Sequence, residues 1–407
     1  MKPPWPTKKL GEICNFQFGF SFKASDFNLE GKGLPVIRIG DLEKQSPGIF
    51  YDKTYDSRYL VNPGDILIGL SGTITTGIWN GPKALLNQRV VKLENFKNAD
   101  KKFIFYSLPK ALKKLSEELF RSAVKNVLKH HLYNLEISFP PLNKQQKIVY
   151  VLDTIQSAVE VQEKIIEKTK ELKKSLMADL FKYGGPSFRK GRKLKKTEIG
   201  EIPEDWGVVG LGEVCTPRKE QILPKENEIY VGLEHLDPGA TKLNRYGNSR
   251  EVKSLKNKFY PQDILYGKLR PYLDKAVIAE NKGVCSTDLI VIRCNKLKVL
   301  PFYLINLIHT SYFLNFATGT ISGTNHPRTS WDSLKIFKIP LPSLPELREI
   351  AEILQTVDQK IEIEQKKKEL NEELFKTMLN KLMNGEIDVN LLRVSELASY
   401  ELKDYTS

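Results

Sequence analysis

Two stretches of the chain place apolar residues on one helical face over an unusual length. Ile148, Leu152, Ile155, Val159, Ile165, Leu172, Leu176 and Leu180 form the first stripe; Ile350, Leu354, Val357, Ile361, Leu370, Leu374, Met378 and Leu382 form the second. Most steps are three or four residues, the period of an α-helix. Pro140-Pro141-Leu142-Asn143 precedes the first, and Asn143 with Gln146 has capping-box spacing; Ser343 with Glu346 does the same for the second. Tyr183-Gly184-Gly185-Pro186 and Asn384-Gly385 supply the stops. At ~1.5 Å per residue each helix runs roughly 60 Å. A striped helix of that length must cover its apolar face, and two of them running antiparallel would do so. Polar interruptions at Gln162-Glu163-Lys164 and Glu364–Lys368 predict a coiled-coil-like pair rather than strict heptads.

The chain also repeats itself at an offset that drifts between 198 and 202 residues. Leu10-Gly11-Glu12-Ile13-Cys14 matches Leu211-Gly212-Glu213-Val214-Cys215; Pro63–Gly69 matches Pro261–Gly267; Asn87-Gln88-Arg89 falls opposite Ser286-Thr287-Asp288. Between these markers lie short β-rich runs at Leu34–Leu42, Asp65–Leu70, Arg89–Leu93, Ile229–Leu233, Ile264–Tyr266 and Leu289–Arg293, with helical patches near Phe103–Glu118 and Phe302–Phe316. The pattern predicts an α+β chain: two pseudo-symmetric α/β domains (1–140 and 201–338) separated by two long antiparallel helices (141–184 and 339–385), with a basic linker (185–200) and a C-terminal tail (386–407). Such helices could act as a ruler between two half-sites on DNA, spaced by turns of about 34 Å. A scaffold built by tandem duplication, with no nucleic acid, fits the same pattern.

Charge narrows this. The net charge is +14, with the excess in the two globular stretches and the linker, whereas 339–407 is acidic. A polyanion touching the globular parts is the expected partner. No apolar run approaches a membrane span, the N-terminus shows no apolar leader, and the four cysteines contain no C-x-x-C pair. A reducing cytoplasm, with no disulfides and no membrane, is the expectation.

Three strings carry a family resemblance: Thr197–Trp206 running into Leu211-Gly212-Glu213-Val214; Lys268-Leu269-Arg270-Pro271-Tyr272-Leu273-Asp274-Lys275-Ala276 followed by Ser286-Thr287-Asp288-Leu289; and Ile339–Leu344 leading into the second helix. In this order the chain resembles a type I restriction-modification specificity (S) subunit over essentially its whole length. The resemblance implies target-recognition domains that each read one part of an interrupted double-stranded DNA target. The implied partners are two modification (methyltransferase) subunits, which carry S-adenosylmethionine, and restriction (motor-nuclease) subunits, which use ATP and Mg2+. The N-terminal copy departs from the pattern, with Leu70-Ser71-Gly72-Thr73 where the second has Lys268-Leu269-Arg270-Pro271. The two halves are therefore expected to read different sequences, an asymmetric target. A stand-alone two-domain DNA-binding regulator is the alternative.

Catalytic motifs are missing. Neither Asn62-Pro63-Gly64-Asp65 nor Phe139-Pro140-Pro141-Leu142 is the Asn/Asp-Pro-Pro-aromatic turn of an adenine methyltransferase, and there is no P-loop. Carboxylates lack nuclease spacing, and His130, His131, His235, His309 and His326 lack metal-ligand spacing with cysteine. The chain itself is expected to be non-catalytic, with no cofactor and no metal. What remains is recognition by Arg, Lys, amide and hydroxyl side chains on loops. The candidates in the second domain are Lys268, Arg270, Tyr272, Asn325, His326 and Arg328, with Arg270 and Arg328 ranked first. In the first domain they are Ser21, Lys23, Ser71, Thr73, Thr75, Thr76, Arg121, Lys125, Asn126 and Lys129. The linker cations Arg189, Lys190, Arg192, Lys193, Lys195 and Lys196 read equally as phosphate contacts or as a solvated hinge.

Overall fold

The computed structural model describes residues 5–392, apart from 71–73, 122–127, 226 and 324, with backbone alone at 120, 121 and 251. The chain divides into two compact units: 1–161 with 368–407, and 162–367. The stripes do form long helices, α1 (Leu142–Tyr183) and α2 (Leu344–Met383). Each unit takes part of each helix.

The two units share one plan. In the first, a four-stranded antiparallel sheet has the order Asn15–Phe18, Val90–Glu94, Ile66–Gly69, Thr75–Ile78; in the second, Cys215–Pro217, Leu289–Cys294, Ile264–Gly267, Ala276–Ile278. A second sheet in each unit is built around one parallel pair, Leu34–Ile37 with Ala84–Leu86 and Ile229–Val231 with Gly283–Cys285. The copies differ at its edge. Phe27–Asn28 lies outside Phe50–Tyr51 at one end in the first unit, and Gln221–Ile222 lies outside Lys256–Phe259 at the opposite end in the second. The β-run at 34–42 stops at Ile37, because buried Asp41 accepts a hydrogen bond from the Arg38 amide (2.8 Å) and opens a short helix, Asp41–Lys44. The helical patch near 302–316 is two helices, Pro301–Ile308 and Ser311–Gly319. Thr310 starts the second by accepting from the Phe313 amide.

The helix seam is more regular than the stripe suggested. Leu152, Val159, Ile166, Lys173 and Leu180 lie seven residues apart and all are buried. The stripe's Leu172 is 54% exposed, and Leu370 and Leu374 on α2 are 65% and 39% exposed. An apolar-only reading skipped the seam positions that are polar. In the second unit these pair: Gln162 donates to Glu364 (3.1 Å), and Lys173 binds Asp358 (2.6 Å), which also accepts from Thr241 (2.9 Å). Gly185 near the end of α1 donates to Glu346 near the start of α2. Partner numbers rise on α2 as they fall on α1, so the helices run antiparallel here. In the first unit Ile148, Leu152 and Ile155 share a core with Phe375, Met378 and Leu382.

The expected caps are different in fact. Asn143 lies inside α1, and Gln145, fully buried, donates to the Pro140 carbonyl and accepts from the Asp100 amide. Glu346 does not fold back on Ser343; its carboxylate, also fully buried, receives the Gly185 amide, Trp206 Nε1 and both terminal nitrogens of Arg192.

Candidate nucleic-acid interface

In the second unit, strand Ile264–Gly267 runs into a loop that carries Lys268, Arg270 and Tyr272. Arg270 (φ 50°) and Asp274 (φ 54°) both adopt the left-handed conformation, which costs a residue with a side chain of order 1 kcal/mol or more. The surroundings over-determine it. The Arg270 amide donates to Pro327 O (2.8 Å), the Thr329 amide to Lys268 O (3.0 Å), the Lys268 amide to Asp288 O (3.0 Å) and the Gly239 amide to Asp274 O (2.9 Å). His309, with its side chain 5% exposed, clamps the loop's far end. Its Nδ1 lies 2.6 Å from Asp274 Oδ1, and its Nε2 faces the carbonyls of Ala240 (3.0 Å) and Ala276 (3.1 Å).

These bonds join the 268–275 loop to the 320–329 loop, so Lys268, Arg270, Tyr272, Asn325, His326 and Arg328 fall on one connected surface. Arg270, Tyr272, Asn325 and His326 are exposed. Arg328 is engaged: Nε and Nη2 donate to Asp288 (2.9 and 3.3 Å) and Nη1 to His326 O (3.2 Å). Its guanidinium is thereby oriented, and fewer of its five N–H groups remain for a ligand. These bonds hold the Asp288 carboxyl below the usual carboxylate range. A depressed value stabilises the fold above the unfolded value, about pH 4, and that contribution is lost as pH falls through the lower folded value. The melting-temperature gap between wild type and Asp288→Asn should stay constant from neutrality to about pH 4 and close on further acidification. A gap that widens with acid would refute this account.

In the first unit Ser21, Lys23 and Lys129 are exposed, and the Lys129 ammonium lies over the rings of Phe18 (5.3 Å) and Tyr133 (5.7 Å). Thr75 and Thr76 lie in strand Thr75–Ile78. The Thr75 hydroxyl is buried without a hydrogen-bond partner, which removes it from the groups available to a ligand. Arg121 ends helix Lys101–Arg121, while Ser71, Thr73, Lys125 and Asn126 lie outside the described residues.

Two linker cations are engaged by acceptors within the chain. Arg192 is 8% exposed and bonded to Glu346 and Asp205; Arg189 pairs with Asp179 (2.5 Å) and Gly184 O. Lys195 donates to the carbonyls of Glu204 and Trp206. Lys190, Lys193 and Lys196 are exposed.

Sequence reasoning missed Asp274, Asp288 and His309 as loop-positioning groups. The repeat held a signal for one of them, since Asp288 aligns with Arg89, a reversal of charge at a shared position. Among the described residues no cluster of three His, Cys, Asp or Glu side chains could hold a metal, and no helix is long and apolar enough to cross a membrane. All four cysteines are free and buried, and burial pushes the Cys14 and Cys285 thiols up to about 12.

The family model for the type I restriction modification DNA specificity domain matches the chain twice, at residues 3–171 and 203–372. The type I restriction enzyme MjaVIII specificity subunit of Methanocaldococcus jannaschii is 30% identical over 406 residues, covering 88% of this chain and 93% of its own. The EcoBI specificity subunit of Escherichia coli is 24% identical over 367 residues, covering 85% and 77%. Among solved structures, the type I restriction-modification S subunit from M. genitalium superposes with a TM-score of 0.58 at 16% identity, covering 94% of this chain and 99% of that one. A chain from a study of assembly and conformational transition of the type I system gives 0.52 at 18% identity, covering 95% and 100%. The doubled match, in register with two units of one sheet order, places the chain in the family of type I restriction-modification DNA specificity proteins.

Proposed function

We propose that this chain is the DNA-reading subunit of a type I restriction-modification enzyme and performs no catalysis itself. Each unit reads one part of an interrupted, asymmetric target, and α1 with α2 sets the spacing and docks the modification subunits. Those subunits bring S-adenosylmethionine, and restriction subunits bring ATP and Mg2+. The observation that carries this reading is the doubled recognition fold with unlike loops. The strand order is the same, but the strand Ile66–Gly69 is followed in sequence by Leu70-Ser71-Gly72-Thr73 and the strand Ile264–Gly267 by Lys268-Leu269-Arg270-Pro271. Equal scaffolds with unequal readers suit two different half-sites.

The test is to purify the full chain with and without a modification subunit from the same source. Each preparation is then given S-adenosylmethionine and random-sequence DNA, and the methylated sites are sequenced. A two-part motif with a fixed gap, found only with the partner, is the expected result. Methylation by the chain alone sinks the reading, and tight site-specific binding with no co-purifying partner favours a stand-alone regulator. Within the supporting outcome, Arg270→Ala should relax one or two base pairs of one half about 10-fold or more.

A further inference from the structure

The two units share a three-residue turn that joins the second sheet to the four-stranded sheet, 87–89 in one and 286–288 in the other. The bonds match closely. The Val90 amide donates to Asn87 O and the Leu289 amide to Ser286 O, both at 2.9 Å. The side chain of the first turn residue accepts a turn amide in each: Gln88 N to Asn87 Oδ1 (2.8 Å), and Asp288 N to Ser286 Oγ (3.2 Å). The third residue's carbonyl receives the amide that opens the neighbouring loop, Leu70 N to Arg89 O (2.9 Å) and Lys268 N to Asp288 O (3.0 Å). In the second unit this turn is the internal brace of the candidate surface, because Asp288 holds Arg328.

In the first unit the same turn faces outward. Asn87, Gln88 and Arg89 line an open cleft of about 420 Å³ together with Arg38, Asp41 and Lys44. Asp41 is buried and spent on the Arg38 amide, while Arg38, Lys44, Gln88 and Arg89 are exposed. The Arg38 guanidinium stands 3.8 Å from Asp41 and is 53% exposed. The cleft therefore combines cations with a side-chain amide. The turn that carries Gln88 and Arg89 is rigidly backed. Gly19 passes so close that a Cβ there would lie 1.9 Å from Asn87 O. Next to it Phe20 bridges to Asn87, its amide donates to Leu86 O (2.9 Å), and its ring packs on Phe22 and Tyr59.

We infer that the Asn87-Gln88-Arg89 turn is the base-reading element of the first unit, with Gln88 as a specificity-determining residue and Arg38 and Lys44 as phosphate contacts at its rim. A glutamine amide offers the donor–acceptor pair that matches the major-groove edge of adenine, and Arg and Lys beside it supply the positioning charge. A short rigid turn suits this role better than a long loop, since the amide must be held in one geometry to discriminate. The inference rests on the DNA-reading function proposed above and assigns that function to a turn outside the earlier candidates.

The test uses the full chain in complex with its modification subunit, S-adenosylmethionine and a random-sequence DNA library, with every methylated site sequenced. The wild-type motif comes first: if no two-part motif emerges, the DNA-reading function itself fails. Given such a motif, Gln88→Ala should relax discrimination about 10- to 100-fold at one or two adjacent base pairs of one half, leaving the other half unchanged. Arg38→Ala and Lys44→Ala should keep the motif, weaken binding evenly across sequences and each reduce the salt slope by about 1. An unchanged motif in Gln88→Ala overturns the assignment. So does loss spread evenly over both halves at an unaltered melting temperature, because that would make Gln88 a general contact. Gln88→Glu gives an independent arm and should shift the preferred base at those same positions; a shift elsewhere also overturns it.

Discussion

Glu346→Ala is expected to destabilise the second unit by about 4 kcal/mol, since it strips the partner from a buried charge and leaves further donors unmet. Glu346 is fully buried at the start of α2, and three segments converge on it. Arg192 reaches it with both terminal nitrogens, the Trp206 indole donates at 2.9 Å and the Gly185 amide at 3.0 Å. Without the carboxylate, the Arg192 guanidinium, 8% exposed, keeps only the 61%-exposed Asp205 as a charged partner. Gly184 lies against the same cluster in the left-handed conformation (φ 83°), and a Cβ there would meet Glu346 and Arg192. The network thus fixes how the linker leaves α1 and rejoins α2. At about 2–4 °C per kcal/mol for a unit of this size, the melting temperature should fall by roughly 10 °C. Glu346→Gln keeps an acceptor and the shape but loses the charge, and should fall between wild type and alanine. Urea unfolding followed by tryptophan fluorescence checks both variants. A loss under about 1 kcal/mol in the alanine variant would show that water replaces the carboxylate.

The same residue shows where sequence reading stops. Ser343 and Glu346 have capping-box spacing, and the box is a local rule that needs only four residues. The Glu346 carboxylate is instead spent on residues more than 130 positions away, Trp206, Arg192 and Gly185, and no local pattern announces that. The linker cations mislead for the same reason. Arg192 and Lys195 count toward a basic run, yet tertiary acceptors consume them. The features that were legible are those written in period or repetition: two helices, two similar units, and the strands around Ile66–Gly69, Val90–Glu94, Ile264–Gly267 and Leu289–Cys294. The gathering of Lys268, Arg270 and Arg328 was legible as a residue list but not as a surface, because the joining bonds are backbone pairs between loops. The helix seam was half legible. Its apolar ends obey the stripe, while its middle places Lys173 and Glu364 at buried positions and Gln162 at a half-buried one, which a hydrophobic pattern passes over.

That polar middle leads to the second large effect. Lys173 and Asp358 meet across the seam at 2.6 Å, with side chains 10% and 15% exposed, and Asp358 also accepts from buried Thr241. Asp358→Ala leaves an ammonium without its carboxylate and a hydroxyl without its acceptor, a loss of about 3 kcal/mol. The double variant Lys173→Met with Asp358→Leu removes both charges and fills the space with apolar volume. It should recover all but about 1 kcal/mol, the residue being the Thr241 hydroxyl. The pair would then contribute little net stability and act instead on register, since an apolar seam of period seven can slip by one repeat whereas a charge pair cannot without exposing both partners. Denaturant unfolding of wild type, Lys173→Met, Asp358→Leu and the double closes the cycle, with Asp358→Ala measured beside it. Equal losses in Asp358→Ala and the double variant would show that the pair stabilises the seam directly. A double variant that regains stability but, in complex with its modification subunit, directs methylation with a broadened gap between half-sites would show that the polar seam fixes the register on which spacing depends.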